Sequence, residues 1–91
     1  MERRLRVAGG KTLVLDIECQ DGDVVGLRIS GDFFFYPEEG LERLESYLLE
    51  NKVWKADDPE GEIANFLSKN KFQAVGFGPV DLAFLMRGFR C

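Results

Sequence analysis

The chain contains no histidine among its 91 residues. Histidine is the usual general base at neutral pH and the commonest zinc ligand, so chemistry performed by this chain alone would need carboxylates, lysines or a thiol. The two cysteines, Cys19 and Cys91, form no C-x-x-C pair and no metal-binding spacing. Cys19 falls within a predicted strand, where we expect a small buried apolar side chain rather than a nucleophile. We therefore predict no catalytic residue and no metal site in this chain.

Long apolar runs and extended basic clusters are also missing. There is no run of eighteen apolar residues and no basic start followed by an apolar signal core, so we expect a cytoplasmic protein with no membrane partner. The net charge is −4 and the basic residues gather only at Arg3, Arg4 and Arg6, so we expect no nucleic acid partner. With 45% hydrophobic and 31% charged residues, residues 1–91 are predicted to form one globular domain.

The segment AGGKTLVLD, residues 8–16, contains the Gly-Lys-Thr sequence with which a nucleotide-binding phosphate loop ends. Such a loop needs a glycine at the position of Leu5 and must run directly into a helix. After Thr12, apolar and polar residues alternate instead, and a period of two is typical of a strand. The sequence therefore predicts a turn followed by a strand rather than an independent phosphate loop.

Residues 11–30 predict a β-hairpin in which each strand has one apolar face, formed by Leu13, Leu15, Ile17 and Cys19 in the first strand and by Val25, Leu27 and Ile29 in the second. A two-residue loop at Asp21-Gly22 would set apolar against polar residues. A three-residue loop, Gln20-Asp21-Gly22, pairs Ile17 with Val25 and keeps the apolar sets on one face, so we prefer it. Leu5 and Val7 alternate with arginines and predict a short strand before the hairpin.

Three helices are predicted after the strands, because proline suits the first turn of a helix. They begin at Pro37, Pro59 and Pro79 and end near Asn51, Asn70 and Gly88. Asp58 is the predicted cap of the second helix. The third helix is expected to bury some of its apolar residues Val80, Ala83, Phe84 and Met86. Strands followed by helices indicate an α+β fold of two layers, with a small antiparallel sheet of about three strands covered on one face by about three helices.

Several motifs occur in a familiar order over residues 5–50. A Gly-Gly-Lys start is followed by the hairpin turn Asp21-Gly22, by Gly31-Asp32-Phe33-Phe34, by a proline and by the amphipathic helix LERLESYL. This order resembles the C-terminal accessory domain of lipoate-protein ligases, and more closely the archaeal form in which that domain is a separate small subunit. The closing VGFGPVDLAFLMRG is a looser match that keeps the pair Asp81-Leu82, and residues 52–74 match in pattern only.

The resemblance implies an accessory subunit of an ATP-dependent lipoate-protein ligase. Such a subunit pairs with a separate catalytic subunit, which activates lipoate to lipoyl-adenylate and then transfers the lipoyl group to a lysine of a lipoyl-acceptor protein. The accessory domain is implied to be a mobile cover that the activation step needs and that has no activity by itself. Lipoate, ATP and Mg²⁺ are then expected in the complex, and none of them on this chain alone.

The resemblance also implies two sets of site residues. Gly10 and Lys11 are candidates for a position near the adenylate, where the lysine would contact a phosphate; the alternative is a solvated lysine at the start of a strand. Gly31, Asp32, Phe33 and Phe34 are candidates for the partner interface or lid, with the phenylalanines forming an apolar wall. Their alternative is a strand-to-helix turn with core aromatics.

Two other classes of function remain open at this point. The chain could be a non-enzymatic protein-interaction module, unrelated to lipoylation, whose exposed aromatics bind another partner. A sulfur or iron-sulfur carrier is a weaker alternative, because it needs exposed loop cysteines and Cys19 is expected within a strand.

Overall fold

The computed structural model describes residues 1–87 and Cys91. The elements in chain order are β1 (Glu2–Val7), β2 (Lys11–Gln20), β3 (Asp23–Gly31), β4 (Phe34–Tyr36), α1 (Gly40–Glu50), a 3-10 turn (Val53–Lys55), α2 (Pro59–Asn70), β5 (Gln73–Val75) and α3 (Pro79–Met86). β1, β2 and β3 form an antiparallel main sheet in that order, and β4 and β5 form a separate antiparallel small sheet. The predicted α+β class is confirmed. Over the described residues, no helix has the length and apolar content needed to cross a membrane.

One face of the main sheet is buried under the helices. Because side chains alternate between the two faces of a strand, Leu13, Leu15 and Ile17 of β2 all point into the core. The helices contribute the facing side chains Leu44, Leu48, Ile63, Leu67, Leu82, Leu85 and Met86. The alternation that predicted the strands therefore also identified the buried face of β2 as far as Ile17.

The β2–β3 hairpin differs from its predicted register. The turn has two residues, Asp21-Gly22, with φ of 52° and 84°, which is typical of the type I′ turn favoured in tight hairpins. Val25 is an extra residue in β3, a β-bulge that shifts the pairing, so that Ile17 lies opposite Leu27. The predicted pairing of Ile17 with Val25 is therefore wrong by two residues. Leu27 and Ile29 still share the inner face, because the bulge supplies the one-residue shift that we assigned to a longer loop. The predicted inward position of Val25 is wrong, because this bulged residue is 45% exposed and Val24 packs against the core instead.

Two of the three helix starts are confirmed. α2 begins at Pro59, with an Asp58 carboxylate oxygen accepting a hydrogen bond from the Gly61 amide at 3.1 Å, and α3 begins at Pro79. The predicted start of α1 is wrong, because this helix begins at Gly40 and not at Pro37. The chain is still paired in β4 at Tyr36, so Pro37 opens a turn, closed by a 2.9 Å hydrogen bond from the Gly40 amide to the Pro37 carbonyl.

The buried face of α3 was predicted only in part. Met86 is buried as expected, but Val80 and Phe84 are exposed, and Leu82 and Leu85 take the inward positions. The helix PVDLAFLM is apolar on nearly every side, so its periodicity could not select one face. The predicted end near Gly88 lies outside the described residues.

The expectation for Cys19 is wrong. Cys19 is exposed and forms a disulfide with Cys91, 72 positions further along the chain. Beyond Ile17 the burial of β2 ends, because Glu18, Cys19 and Gln20 are all exposed. Trp54 is partly buried against the core.

Candidate functional site

Three chain connections meet at one end of the main sheet. They are the β1–β2 connection with the start of β2 (residues 8–12), the β3–β4 connection (31–33) and the β5–α3 connection (76–78). We call these three segments the loop cluster. Loops held together by a rigid sheet are the usual carriers of binding residues, so the loop cluster is the candidate site.

Gly31 holds the first two segments of the loop cluster together. Its φ is 138°, and a Cβ at this position would collide with the Thr12 carbonyl oxygen. The next residue, Asp32, donates its amide to the same carbonyl at 2.9 Å. Only glycine fits so close to a neighbouring backbone, which gives Gly31 a structural reason to be there.

Gly10 and Lys11 lie beside this contact. Gly10 has φ of 83° and donates its amide to the Val7 carbonyl at 3.1 Å, which closes the β1–β2 turn. Lys11 is the first residue of β2, and its exposed ammonium forms no ion pair with residues 1–87 or 91. The structure thus brings the two predicted sets, Gly10-Lys11 and Gly31-Asp32, to one end of the sheet through Thr12. Whether they contact a ligand or a partner stays a prediction.

The two predicted phenylalanines have different environments. Phe33 is partly buried and meets Phe77 edge to face, with ring centroids 4.9 Å apart and an interplanar angle of 79°. Phe34 is 63% exposed, and the following Phe35 is buried. Side chains alternate in this way along strand β4 and the residue before it. Phe33 therefore packs beneath the loop cluster, and Phe34 is exposed to solvent.

Sequence reasoning did not select the β5–α3 connection as part of the site. Gly76 has φ of 116°, and a Cβ there would lie 3.0 Å from the Phe33 Cβ. Phe77 supplies the ring against Phe33, and the Gly78 amide donates to the Asp81 carboxylate at 2.8 Å at the start of α3. The available signal was the segment VGFGP, in which two glycines flank one aromatic residue just before a helix start.

The resolved pKa shifts belong to residues outside the loop cluster. Burial raises the pKa of Glu45 on α1, although the carboxylate accepts a hydrogen bond from the Ile29 amide at 2.7 Å, which opposes the shift. The hydroxyl of Tyr47 donates to Glu62 at 2.7 Å, and this bond raises the tyrosine pKa. Both carboxylates hold secondary structure together, Glu45 at the edge of β3 and Glu62 between α1 and α2.

The loop cluster offers one cation, Lys11, and one exposed carboxylate, Asp32, beside a tight backbone turn and an aromatic support. The lysine is suited to contact with an anionic group. Among residues 1–87 and 91, no group of three or more cysteine, aspartate or glutamate side chains could hold a metal ion.

The chain matches no family model and no curated protein. Its fold is similar to that of one chain in a solved structure of an archaeal lipoylation system, which comprises a bipartite lipoate protein ligase and its E2 lipoyl domain from Thermoplasma acidophilum. The TM-score is 0.65 and the identity 22%, and the similarity covers 98% of this chain and 100% of the other. At this identity, the similarity establishes a shared fold.

Proposed function

We propose that this chain is the accessory subunit of a bipartite, ATP-dependent lipoate-protein ligase. It pairs with a separate catalytic subunit in the cytoplasm and enables the activation of lipoate to lipoyl-adenylate, which precedes transfer to an acceptor lysine. The observation that carries the proposal is the fold similarity over the full length of both chains. The motif order over residues 5–50 supports it independently of the fold.

In this proposal the loop cluster covers the adenylate while the catalytic subunit provides the binding pockets for lipoate, ATP and Mg²⁺. Closing a cover over an acyl-adenylate excludes water, which would otherwise hydrolyse the mixed anhydride. Lys11 places a positive charge beside the phosphoryl group, and the Gly31 contact with Thr12 fixes the strand from which this lysine projects. The chain itself makes or breaks no bond.

The proposal is tested by pyrophosphate release from ATP and lipoate by the cognate catalytic subunit, with and without this chain. We expect release only when both proteins are present. A heat-denatured sample of the chain is the matched control and should give no release. If the folded chain leaves the rate of the catalytic subunit unchanged, the accessory-subunit proposal is wrong, and an interaction module unrelated to lipoylation becomes the better interpretation.

The similar structure contains a lipoyl domain as well as a ligase, so the second candidate function is that of a lipoyl acceptor. An acceptor must present a lysine to the ligase, and two exposed lysines with left-handed backbone, Lys52 and Lys71, lie at tight turns. Intact-mass measurement after incubation with a ligase, lipoate and ATP distinguishes the two functions. A mass gain of one lipoyl group would identify an acceptor, and an unmodified chain that activates the ligase is the accessory subunit.

The role of Lys11 can be separated from the role of the fold. Lys11→Ala removes an exposed side chain, so the free energy of unfolding should change by no more than about 0.5 kcal/mol. The adenylation rate of the reconstituted pair should fall about tenfold or more, because a charge beside the phosphoryl group is lost. Lys69→Ala, an exposed lysine on α2, is the control and should keep the wild-type rate. A wild-type rate for Lys11→Ala would remove this lysine from the site.

A further inference from the structure

The small sheet exposes aromatic side chains on its outer face. Phe34 and Tyr36 of β4 are 63% and 51% exposed, and Val75, paired with Phe34 on β5, is 44% exposed. The two rings are stacked, with centroids 6.3 Å apart and planes 12° from parallel. We call Phe34, Tyr36 and Val75 the aromatic face. Adjacent large apolar side chains on a protein surface commonly mark an interaction site.

The opposite side of the same two strands anchors them to the core. Phe35 is buried and meets Phe72 edge to face at 5.9 Å between centroids, and Ala74, its partner on β5, packs against the core. The aromatic face is therefore held on a rigid support. A surface presented in this way loses little conformational entropy when a partner covers it.

The charged residues that flank β4 and β5 in sequence are mostly negative. Asp32 precedes β4, Glu38 and Glu39 follow it, and all three are exposed, while Lys71 near the start of β5 is the one basic neighbour in these flanking segments. A second copy of this chain would bring a negative rim against a negative rim. A partner with lysines or arginines around its own apolar pocket would instead be attracted.

The size of the aromatic face also argues against a stable homodimer. From the exposed fractions of the three side chains, its area is on the order of 300 Å². A stable interface buries roughly 800 Å² on each partner. The aromatic face therefore fits the centre of an interface whose remaining area comes from the surrounding polar surface, as expected for a cover that opens and closes.

We propose that the aromatic face is the docking surface for the catalytic subunit, which meets it with an apolar pocket rimmed by basic residues. This inference rests on the proposed function, because it takes the identity of the partner from there. Phe34 and Tyr36 enter the pocket, and the acidic rim of Asp32, Glu38 and Glu39 faces the basic one. In this arrangement Lys11 contacts the adenylate and is not part of the interface.

The test is the affinity of the purified chain for the catalytic subunit, measured by calorimetry. The double variant Phe34→Ser, Tyr36→Ser should raise the Kd about 30-fold or more, because aromatic anchors carry most of the binding energy of an interface. The matched control is Val80→Ser, Phe84→Ser, which removes two exposed apolar side chains of α3 and should stay within about threefold of wild type. A wild-type Kd for the aromatic-face variant, or an equal loss in the control, overturns the proposal.

A second variant covers the case in which the double serine variant does not fold. Glu38→Lys, Glu39→Lys changes an exposed turn and should raise the Kd about tenfold at low salt, with a smaller effect at high salt. Glu50→Lys, at the other end of α1, is its control and should leave the Kd unchanged. Equal Kd values for the two charge variants would contradict the predicted basic rim and overturn the proposal.

The wild-type chain separates failure of the docking surface from failure of the function. If wild type binds and activates the catalytic subunit while the aromatic-face variant does so equally well, only the docking proposal is wrong. If wild type neither binds nor activates, both proposals are wrong. Sedimentation of the isolated chain completes the test, because a dimer that the aromatic-face variant abolishes would identify a second copy as the occupant and overturn the proposal. A monomer supports it.

Discussion

The two sheets of this protein differ most on their outer faces. The outer face of the main sheet surrounds Val14 with charged and polar residues, among them Arg4, Arg6, Asp16, Glu18, Arg28 and Ser30. The outer face of the small sheet consists largely of Phe34, Tyr36 and Val75. Each sheet buries its other face, so folding alone explains the inner residues of both. The aromatic outer face is not explained by folding, which is why we assign it to a partner.

The edges of the main sheet are also protected. The edge strand β1 carries three arginines, and charged side chains on an edge strand oppose pairing with another chain. At the other edge, Glu45 of α1 accepts a hydrogen bond from the Ile29 amide of β3. Both features oppose strand addition at the edges of the main sheet, whereas the aromatic face of the small sheet carries no such charge.

The largest expected effect concerns the disulfide that ties the main sheet to the chain end. Reducing the bond between Cys19 and Cys91, which are 72 positions apart, should lower the free energy of unfolding by about 4 kcal/mol, because the unfolded chain regains the freedom of a long loop. Denaturant unfolding with and without reductant measures this. Cys19→Ser should match the reduced wild type, and a reductant-insensitive midpoint would contradict the prediction.

The comparison of the sheets themselves is tested by one inner and one outer residue. Leu15→Ala empties a fully buried position of the main sheet and should cost about 3 kcal/mol, since it leaves a cavity. Phe34→Ser on the aromatic face should cost less than about 1 kcal/mol. Urea unfolding of both variants gives the two values. Equal costs would mean that Phe34 stabilises the fold. The claim that folding does not explain the aromatic outer face would then be wrong.

A pair of glycines tests the rigidity of the loop cluster. Gly31→Ala should cost about 2–3 kcal/mol, because a Cβ would collide with the Thr12 carbonyl at a φ that L residues rarely adopt. Gly9→Ala has a positive φ but open space around it, so it should cost only about 1 kcal/mol. Thermal unfolding of the two variants measures both costs. If Gly9→Ala is the more damaging, the contact between the first two loop segments is not what holds the site.

The smallest effect is the pH dependence caused by Glu45. Its pKa is raised above the ordinary value of 4.5 by burial, so the folded state binds this proton more tightly than the unfolded state does. The corresponding stability is present below about pH 4.5 and is lost as the pH rises through the folded-state pKa. Relative to Glu45→Gln, wild type should therefore lose stability over this interval. The measurement is the free energy of unfolding of wild type and of Glu45→Gln from pH 4 to 7. A difference between the two proteins that stays constant over this range would contradict the assignment.

Local patterns predicted much of the fold and only part of the site. The strand alternation located β1, β2 and β3, and the Asp58-Pro59 and Pro79 signals located two helix starts, because these effects act within a few residues. β4 and β5 are three residues each, too short for a visible period, and three consecutive phenylalanines conceal the alternation of β4. Gly10, Lys11, Gly31 and Asp32 were selected from sequence, but their proximity was not.

The sequence by itself determined the apolar face of β2 as far as Ile17, the class of the fold and the ends of α2, since hydrophobic periodicity and capping depend on near neighbours. Only the tertiary structure decided the bulge at Val25, the pairing of β4 with β5, the bond between Cys19 and Cys91 and the outward position of Phe34. Each of these depends on which distant segments approach one another. That choice is made by packing of the whole core, which no short stretch of sequence contains.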